Sequence, residues 1–200
     1  CVTFASIVTI LESSFHMKIV IQNDSMVPGF ASVLILRELG SVVTALLLTS
    51  RIGAGMAAEI GSMKVTEQID ALKMLGINPV RFLIVPRLIA STIGCVILSI
   101  IANMVCILAA MIVADQFLGY SVGLFLTAMR RFVDFQDIIF ASIKAFCFGL
   151  VIPLMSCYFG FNCKSGADGV GRATTQSVVF ASVAIIVLDF ILSYTFSYFY

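Results

Sequence analysis

The residues best suited to chemistry in this sequence are charged side chains set inside apolar runs. Arg37 and Glu38 are adjacent in one run, with Arg51 and Glu59 further along it. Lys144 stands in a second run and Asp189 in a third. A charge at the centre of a hydrocarbon layer costs at least about 2.5–3.5 kcal/mol, so such groups normally face protein or water. Arg37, Glu38, Lys144 and Asp189 sum to zero, which suits ion pairs that hold helices together. Asp189 and Lys144 would also suit proton transfer as titrating groups. The residues alone leave these uses open.

Other kinds of chemistry find little support. The six cysteines (Cys1, Cys95, Cys106, Cys147, Cys157 and Cys163) include no C-x-x-C pair and no zinc-like spacing. Four of them fall in apolar runs, where a thiol acts as a small hydrophobic side chain. One histidine, His16, cannot build a metal site, and no Ser-His-Asp set or H-E-x-x-H motif can be assembled. The segment Gly166-Ala167-Asp168-Gly169-Val170-Gly171-Arg172-Ala173 approaches a phosphate-binding P-loop, but arginine replaces the lysine and Ala173 has no hydroxyl for magnesium. Its glycines read as a tight turn. The chain is therefore expected to be non-catalytic, with no cofactor of its own.

The elements that position these charges must be membrane helices. Of 200 residues, 60% are hydrophobic and 12% charged, and the mean hydropathy is +1.11. Soluble domains carry roughly 25% charged residues, so this chain has about half the charge needed to cover a watery surface. Disorder is excluded on the same ground. A net charge of +1 offers no basic excess for nucleic acid.

About 20 apolar residues cross a bilayer as a helix. The pattern predicts an all-α polytopic protein with about five transmembrane helices in one domain over 1–200. A partial first span covers 1–21, span two 30–58, span three 82–113, span four 138–161 and span five 174–199. Pro153 should kink span four. The chain begins at Cys1 inside an apolar stretch, which reads as a missing N-terminal piece. A short amphipathic segment over 120–133 suggests a helix lying on the outer surface. The connection 61–87 carries Lys64, Lys73, Arg81 and Arg87, and 162–173 carries Lys164 and Arg172. The other connections hold a balance of acids, including Glu12, Asp24, Asp115, Asp134 and Asp137, against Lys18, Arg130 and Arg131. Basic loops stay in the cytoplasm, which would place the aromatic C-terminus at the far interface. Gly53, Ala54, Ala57, Ala58 and Gly61 form small-x-x-x-small patterns, suited to internal packing or to a dimer seam.

Between spans two and three, the spacing predicts a cytoplasmic helix over 62–76. Val65, Ile69, Leu72 and Gly76 fall on one face, while Lys64, Glu67, Gln68 and Lys73 lie largely off it. Glu67 and Asp70 sit early and Lys73 late, as the helix dipole favours. Asn78-Pro79 discourages continuation. Interfacial helices usually have a basic polar face. The mixed charge here suits docking into a protein groove.

Leu36–Ser50 (LRELGSVVTALLLTS) runs into RIGAGMAAEIGSMKVTEQIDALKMLGINPVRFLIVPRLIA, and Ser165–Phe190 reads SGADGVGRATTQSVVFASVAIIVLDF. These two blocks, in this order, resemble MlaE-type (YrbE-type) permeases, the membrane subunits of ABC transporters that move lipids. Ser41 stands where many members carry proline. The resemblance implies that the cytoplasmic helix is a coupling helix, with Val65, Glu67, Ile69, Asp70 and Leu72 meeting an ABC ATPase subunit that binds ATP and magnesium. It implies a permease homodimer, a periplasmic ring of MCE-domain protein, phospholipid cargo and a bacterial inner-membrane location. It places Arg37, Glu38, Lys144 and Asp189 near the substrate cavity or its supporting network, where Arg37 and Lys144 would attract an anionic head group. Two other expectations compete: a proton-coupled secondary transporter using Asp189 and Lys144, and a scaffold without transport activity. Inverted internal repeats, frequent in secondary transporters, are not visible.

Overall fold

The structure, a computed structural model, describes residues 1–20, 26–164 and 166–199. The side chains of His16 and Lys18, and all of Asp24, lie outside the described residues, as do Ser165 and Tyr200. The described residues form helices and no strands. In chain order these are α1 (Val2–Val20), α2 (Val27–Val65), α3 (Gln68–Met74), α4 (Val80–Leu118), α5 (Val122–Phe132), α6 (Phe135–Phe161) and α7 (Ala167–Phe199). Four of them, α2, α4, α6 and α7, are long and apolar enough to cross a membrane, and Val2–Phe15 within α1 is a shorter apolar helix. The protein is an all-α polytopic membrane protein.

The helices run past the apolar windows that announce them. At 39 residues each, α2 and α4 measure roughly 58 Å at 1.5 Å per residue, about twice the hydrocarbon thickness. Hydropathy marks only the part that must avoid water. Backbone hydrogen bonding carries the helix on until a side chain or a glycine stops it. The segment expected as one helix over 62–76 is instead split: 62–65 complete α2, and α3 begins only at Gln68.

Three wide π turns interrupt the long helices, at Ile35–Leu39 and Thr49–Gly53 in α2 and at Val80–Ile84 in α4. In the first, the Gly40 N–H reaches back five residues to the Ile35 carbonyl. The third ends two residues before Pro86, which lacks an N–H and cannot sit close to the carbonyl four residues back. Pro153 is held inside α6, which continues through it as one helix.

The chain divides into two compact units, Cys1–Thr44 with Ile97–Lys144, and Ala45–Val96 with Ala145–Tyr200. In the first unit, Ile10 of α1, Val27, Ala31 and Ile35 of α2, Cys106 and Ala110 of α4 and Phe125 of α5 are fully buried together. Phe125 and Ala128 turn one face of α5 inward, while Val122, Leu124 and Leu126 stay exposed. Ser121 caps this helix by accepting from the Leu124 N–H at 3.4 Å. Two glycines of α2 permit close approach in this unit. Gly29 leaves room for the Phe132 ring, and Gly40 for the Asn103 carboxamide.

In the second unit, the small residues of α2 serve packing within the chain. Gly53 faces Ile152 and Ser156 of α6, and Gly61 faces Val170 of α7 and Cys163. Gly160 of α6 meets Ile60 so closely that a Cβ there would lie 2.8 Å from the Ile60 Cβ. Ser177 and Ser156 tie α7 to α6 through buried hydroxyls 3.2 Å apart.

Candidate functional site

Two groups of residues carry the candidate chemistry, one in each unit. The first is built at the π turn of α2. This turn contains Arg37 and Glu38, and the opening turns of α6 lie against it. Arg37 Nε donates to Asp137 Oδ1 at 2.6 Å, and Lys144 Nζ donates to Glu38 Oε2 at 2.8 Å. Lys144 also donates to the Arg37 carbonyl at 3.2 Å and stands 4.9 Å from the centre of the Phe140 ring. The Lys144 side chain is 0% exposed and that of Asp137 1%.

Two positive and two negative groups thus interlock at the wide turn. A buried ammonium needs this treatment: desolvation costs several kcal/mol per ion and is offset only by close counter-charges and hydrogen bonds. The ring face adds a cation–π attraction. Asp137 has a second task. Its Oδ2 accepts from the Asp134 N–H at 3.0 Å while the Asp137 N–H returns to the Asp134 carbonyl at 3.1 Å, which closes the first turn of α6.

The sequence reading named Arg37, Glu38 and Lys144, and these three come together. It placed Asp137 in an outer connection with no role. The signal available was that Arg37 needed a carboxylate and that Asp137 precedes Lys144 by seven residues, two helical turns on one face. Asp189 stands half-buried on α7 in the other unit. Glu59 pairs with Arg87 at 2.9 Å, and Arg51 is exposed.

The second group is the connection between α2 and α4. After Val65, Thr66 caps α2 and Glu67 takes a left-handed conformation with φ 58°. This breaks the helix and resets its phase, so Val65 and Ile69 do not share the continuous face that their spacing suggested. The short helix α3 ends at Gly76, φ 76°, where the Ile77 N–H bonds the Leu72 carbonyl at 3.1 Å and the Gly76 N–H bonds that of Lys73 at 3.0 Å. This is a Schellman ending, in which a left-handed glycine satisfies carbonyls at the helix terminus. Asn78 acts one step later than expected. Its side-chain oxygen accepts from the Val80 N–H at 3.0 Å, at the start of α4.

Burial divides the Val65, Ile69 and Leu72 stripe: Val65 is exposed, and the other two turn toward this chain. Ile69 is 2% exposed and packs with Ile60, Leu83 and Cys157, with Leu72 half-buried against them. These residues fasten α3 to its own chain, and Ile69 presents nothing outward. The most exposed apolar residues of the connection are Met74, at 90%, and Leu75, at 73%, with Val65 and Ile77 less so, next to the exposed Glu67, Asp70 and Lys73. Of the residues that the resemblance assigns to a partner, Val65, Glu67 and Asp70 are exposed, whereas Ile69 is buried within this chain and Leu72 half-buried; periodicity reports that a face is buried and not what buries it. Lys73 holds Asp70 at 2.7 Å, and this hydrogen bond and charge keep the Asp70 carboxyl below its ordinary pKa.

Long apolar helices with interlocked charges between them, and a short helix on a charged connection, define a polytopic membrane protein. A sequence model of the family described as permease MlaE matches residues 1–195. The chain belongs to the MlaE permease family. It is 39% identical over 160 residues to the intermembrane phospholipid transport system permease protein MlaE of Haemophilus influenzae, covering 80% of this chain and 61% of that protein. It is 38% identical over 157 residues to a probable ABC transporter permease protein of Rickettsia typhi, covering 78% of this chain and 61% of that protein. It is equally similar, at 38% over 157 residues, to the protein trigalactosyldiacylglycerol 1, chloroplastic, of Arabidopsis thaliana, covering 78% of this chain and 45% of that protein. The chain thus spans about three-fifths or less of the length of these relatives.

Proposed function

We propose that the chain is the membrane subunit of an ABC transporter that moves phospholipid between the bacterial inner membrane and a periplasmic MCE-domain carrier. It acts as a homodimer, and ATP hydrolysis takes place in a separate subunit. Membership in the MlaE permease family and the phospholipid transport for which the Haemophilus relative is named support this reading. The observation that carries it is the pair Met74 and Leu75, wholly apolar and exposed at the end of a helix whose other face is anchored by Ile69. Two large apolar side chains held out from a loop of charged neighbours fit a protein groove better than open water.

In this reading α3 lies on the cytoplasmic side, with the basic loops, and the C-terminus faces the periplasm. Closure of the ATPase pushes on Met74 and Leu75. Ile69 and Leu72 transmit that push to Ile60 of α2, Leu83 of α4 and Cys157 of α6. The ion pairs at Arg37, Glu38, Asp137 and Lys144 hold the wide turn of α2 in register with α6 under load. A proton-coupled carrier titrating Asp189 and Lys144 is not favoured by membership in an ABC permease family.

The test is the double substitution Met74→Asp with Leu75→Asp in the intact complex. Loss of ATPase copurification and of lipid transfer, with unchanged membrane levels of the permease, is expected. Undiminished copurification and transfer would remove the docking role. Lipid moved by the permease alone along a pH gradient would replace the ABC reading with the carrier.

A further inference from the structure

A cavity of about 280 Å³ lies within the second unit, between the end of α6 and the first turns of α7. Small residues open it: Gly169 and the buried Ala173, one turn apart on α7, bring no side chain beyond a methyl. The connection folds tightly over that turn, since a Cβ at Gly169 would collide with the Lys164 carbonyl oxygen. Lys164 and Arg172 therefore border the same cavity, and both line it. Among the described lining residues none is acidic. Asp168, outside the lining, holds Arg172 Nε at 3.1 Å, but both side chains are largely exposed, and such a pair is weak in water. It also leaves the two terminal nitrogens of the guanidinium for another acceptor. Asn162 lines the cavity too, with its amide turned to the Tyr158 carbonyl at 2.9 Å.

The rest of the wall is aromatic. Tyr158 and Phe159 of α6 line it and meet edge to face at 5.3 Å, and Phe159 stacks on Phe180 of α7 at 5.1 Å. Tyr158 and Phe180 are exposed on helices long and apolar enough to cross a membrane, so they face lipid near the ends of those spans. Cations beyond the span ends and exposed rings just inside them bracket the depth of phospholipid phosphates. Two charged donors suit a phosphate, and the rings suit a ligand that carries apolar surface beside it.

We propose that this cavity binds the phosphate of a membrane phospholipid from the leaflet on the side of the α6–α7 connection. Lys164 and Arg172 are the donors, and Tyr158 and Phe159 cover the glycerol and the first acyl carbons. A soluble phosphate offers the same charge but leaves the aromatic wall uncovered. Held there, the lipid fastens the α6–α7 connection to the bilayer. The site requires only that the chain spans a membrane, so it stands or falls separately from transport and from docking at Met74 and Leu75.

The experiment uses the intact complex in nanodiscs of a phosphate-free galactolipid with a trace of radioactive phosphatidylglycerol. The photo-cross-linker p-benzoylphenylalanine replaces Tyr158 or, as a control, Tyr194, which is exposed toward the other end of α7. Capture of label at position 158 is expected to exceed that at 194 about tenfold, the factor for one charge-assisted hydrogen bond. Lys164→Gln with Arg172→Gln should bring it down to the control value. Gln176→Trp, which narrows the cavity and keeps both cations, should lower it as well. Copurification with the ATPase and steady capture at 194 report on folding of each variant. Equal capture at 158 and 194, or capture at 158 that survives both variants, overturns the site. Displacement of the label by inorganic phosphate or AMP added to the solution overturns the membrane lipid as occupant and gives the site to a soluble phosphate.

Discussion

The buried ammonium of Lys144 reaches Glu38 Oε2 at 2.8 Å and the Arg37 carbonyl at 3.2 Å, so one side chain fixes both a charge and the backbone of the wide turn in α2. A π turn departs from the regular hydrogen-bond ladder of the helix, and a donor brought from a neighbouring helix steadies it. Lys144→Met should therefore destabilise the permease, because it removes the buried donor to both Glu38 and the Arg37 carbonyl at the wide turn. The double variant Lys144→Met with Glu38→Gln should recover part of that loss. Thermal unfolding of the purified complex, run as a double-mutant cycle, measures the coupling. Additive losses would mean that the pair acts independently.

Ile69 and Met74 sit on one short helix and should respond in opposite ways. Ile69→Asp buries an unpaired carboxylate among Ile60, Leu83 and Cys157, and should reduce the amount of folded permease in the membrane. Met74→Asp should leave that amount unchanged, because the side chain is exposed, and should weaken ATPase copurification. Membrane abundance and copurification, measured on the same preparations, separate the two effects.

Gly160 and Gly55 provide a matched pair inside helices. A methyl at Gly160 would meet Ile60, whereas nothing lies within 4 Å of one at Gly55. Gly160→Ala should cost about 1–3 kcal/mol by overpacking. Gly55→Ala should be neutral or slightly stabilising, since alanine is the better helix former. Melting temperatures of the two variants in one detergent give the comparison.

Glu67 and Gly76 bracket α3 with left-handed backbones. Gly76→Ala should weaken the Schellman ending by about 1–2 kcal/mol, and Glu67→Gly should relieve a strain of the same order. Hydrogen exchange of the α3 amides should rise in the first variant and hold or fall in the second. The reverse order would show that φ is not what limits this turn.

Apolar content and charge scarcity are local properties, and they were enough to establish helices and membrane spans; the family came from the resemblance of the blocks beginning at Leu36 and Ser165. Each residue either tolerates hydrocarbon or does not, whatever its neighbours in space. The small surface helix at Val122–Phe132 was readable for the same reason, from its alternation of apolar and polar residues. The orientation of faces was not. The stripe through Ile69 and Leu72 correctly marked burial, but only the approach of Ile60, Leu83 and Cys157, distant along the chain, shows that the permease itself covers it. Likewise Arg37 and Lys144 announced that counter-charges were needed. The choice of Asp137 for one and Glu38 for the other depends on how the wide turn of α2 meets the first turns of α6. Pairing between charges about 100 residues apart follows from helix register and contact, which no local pattern encodes.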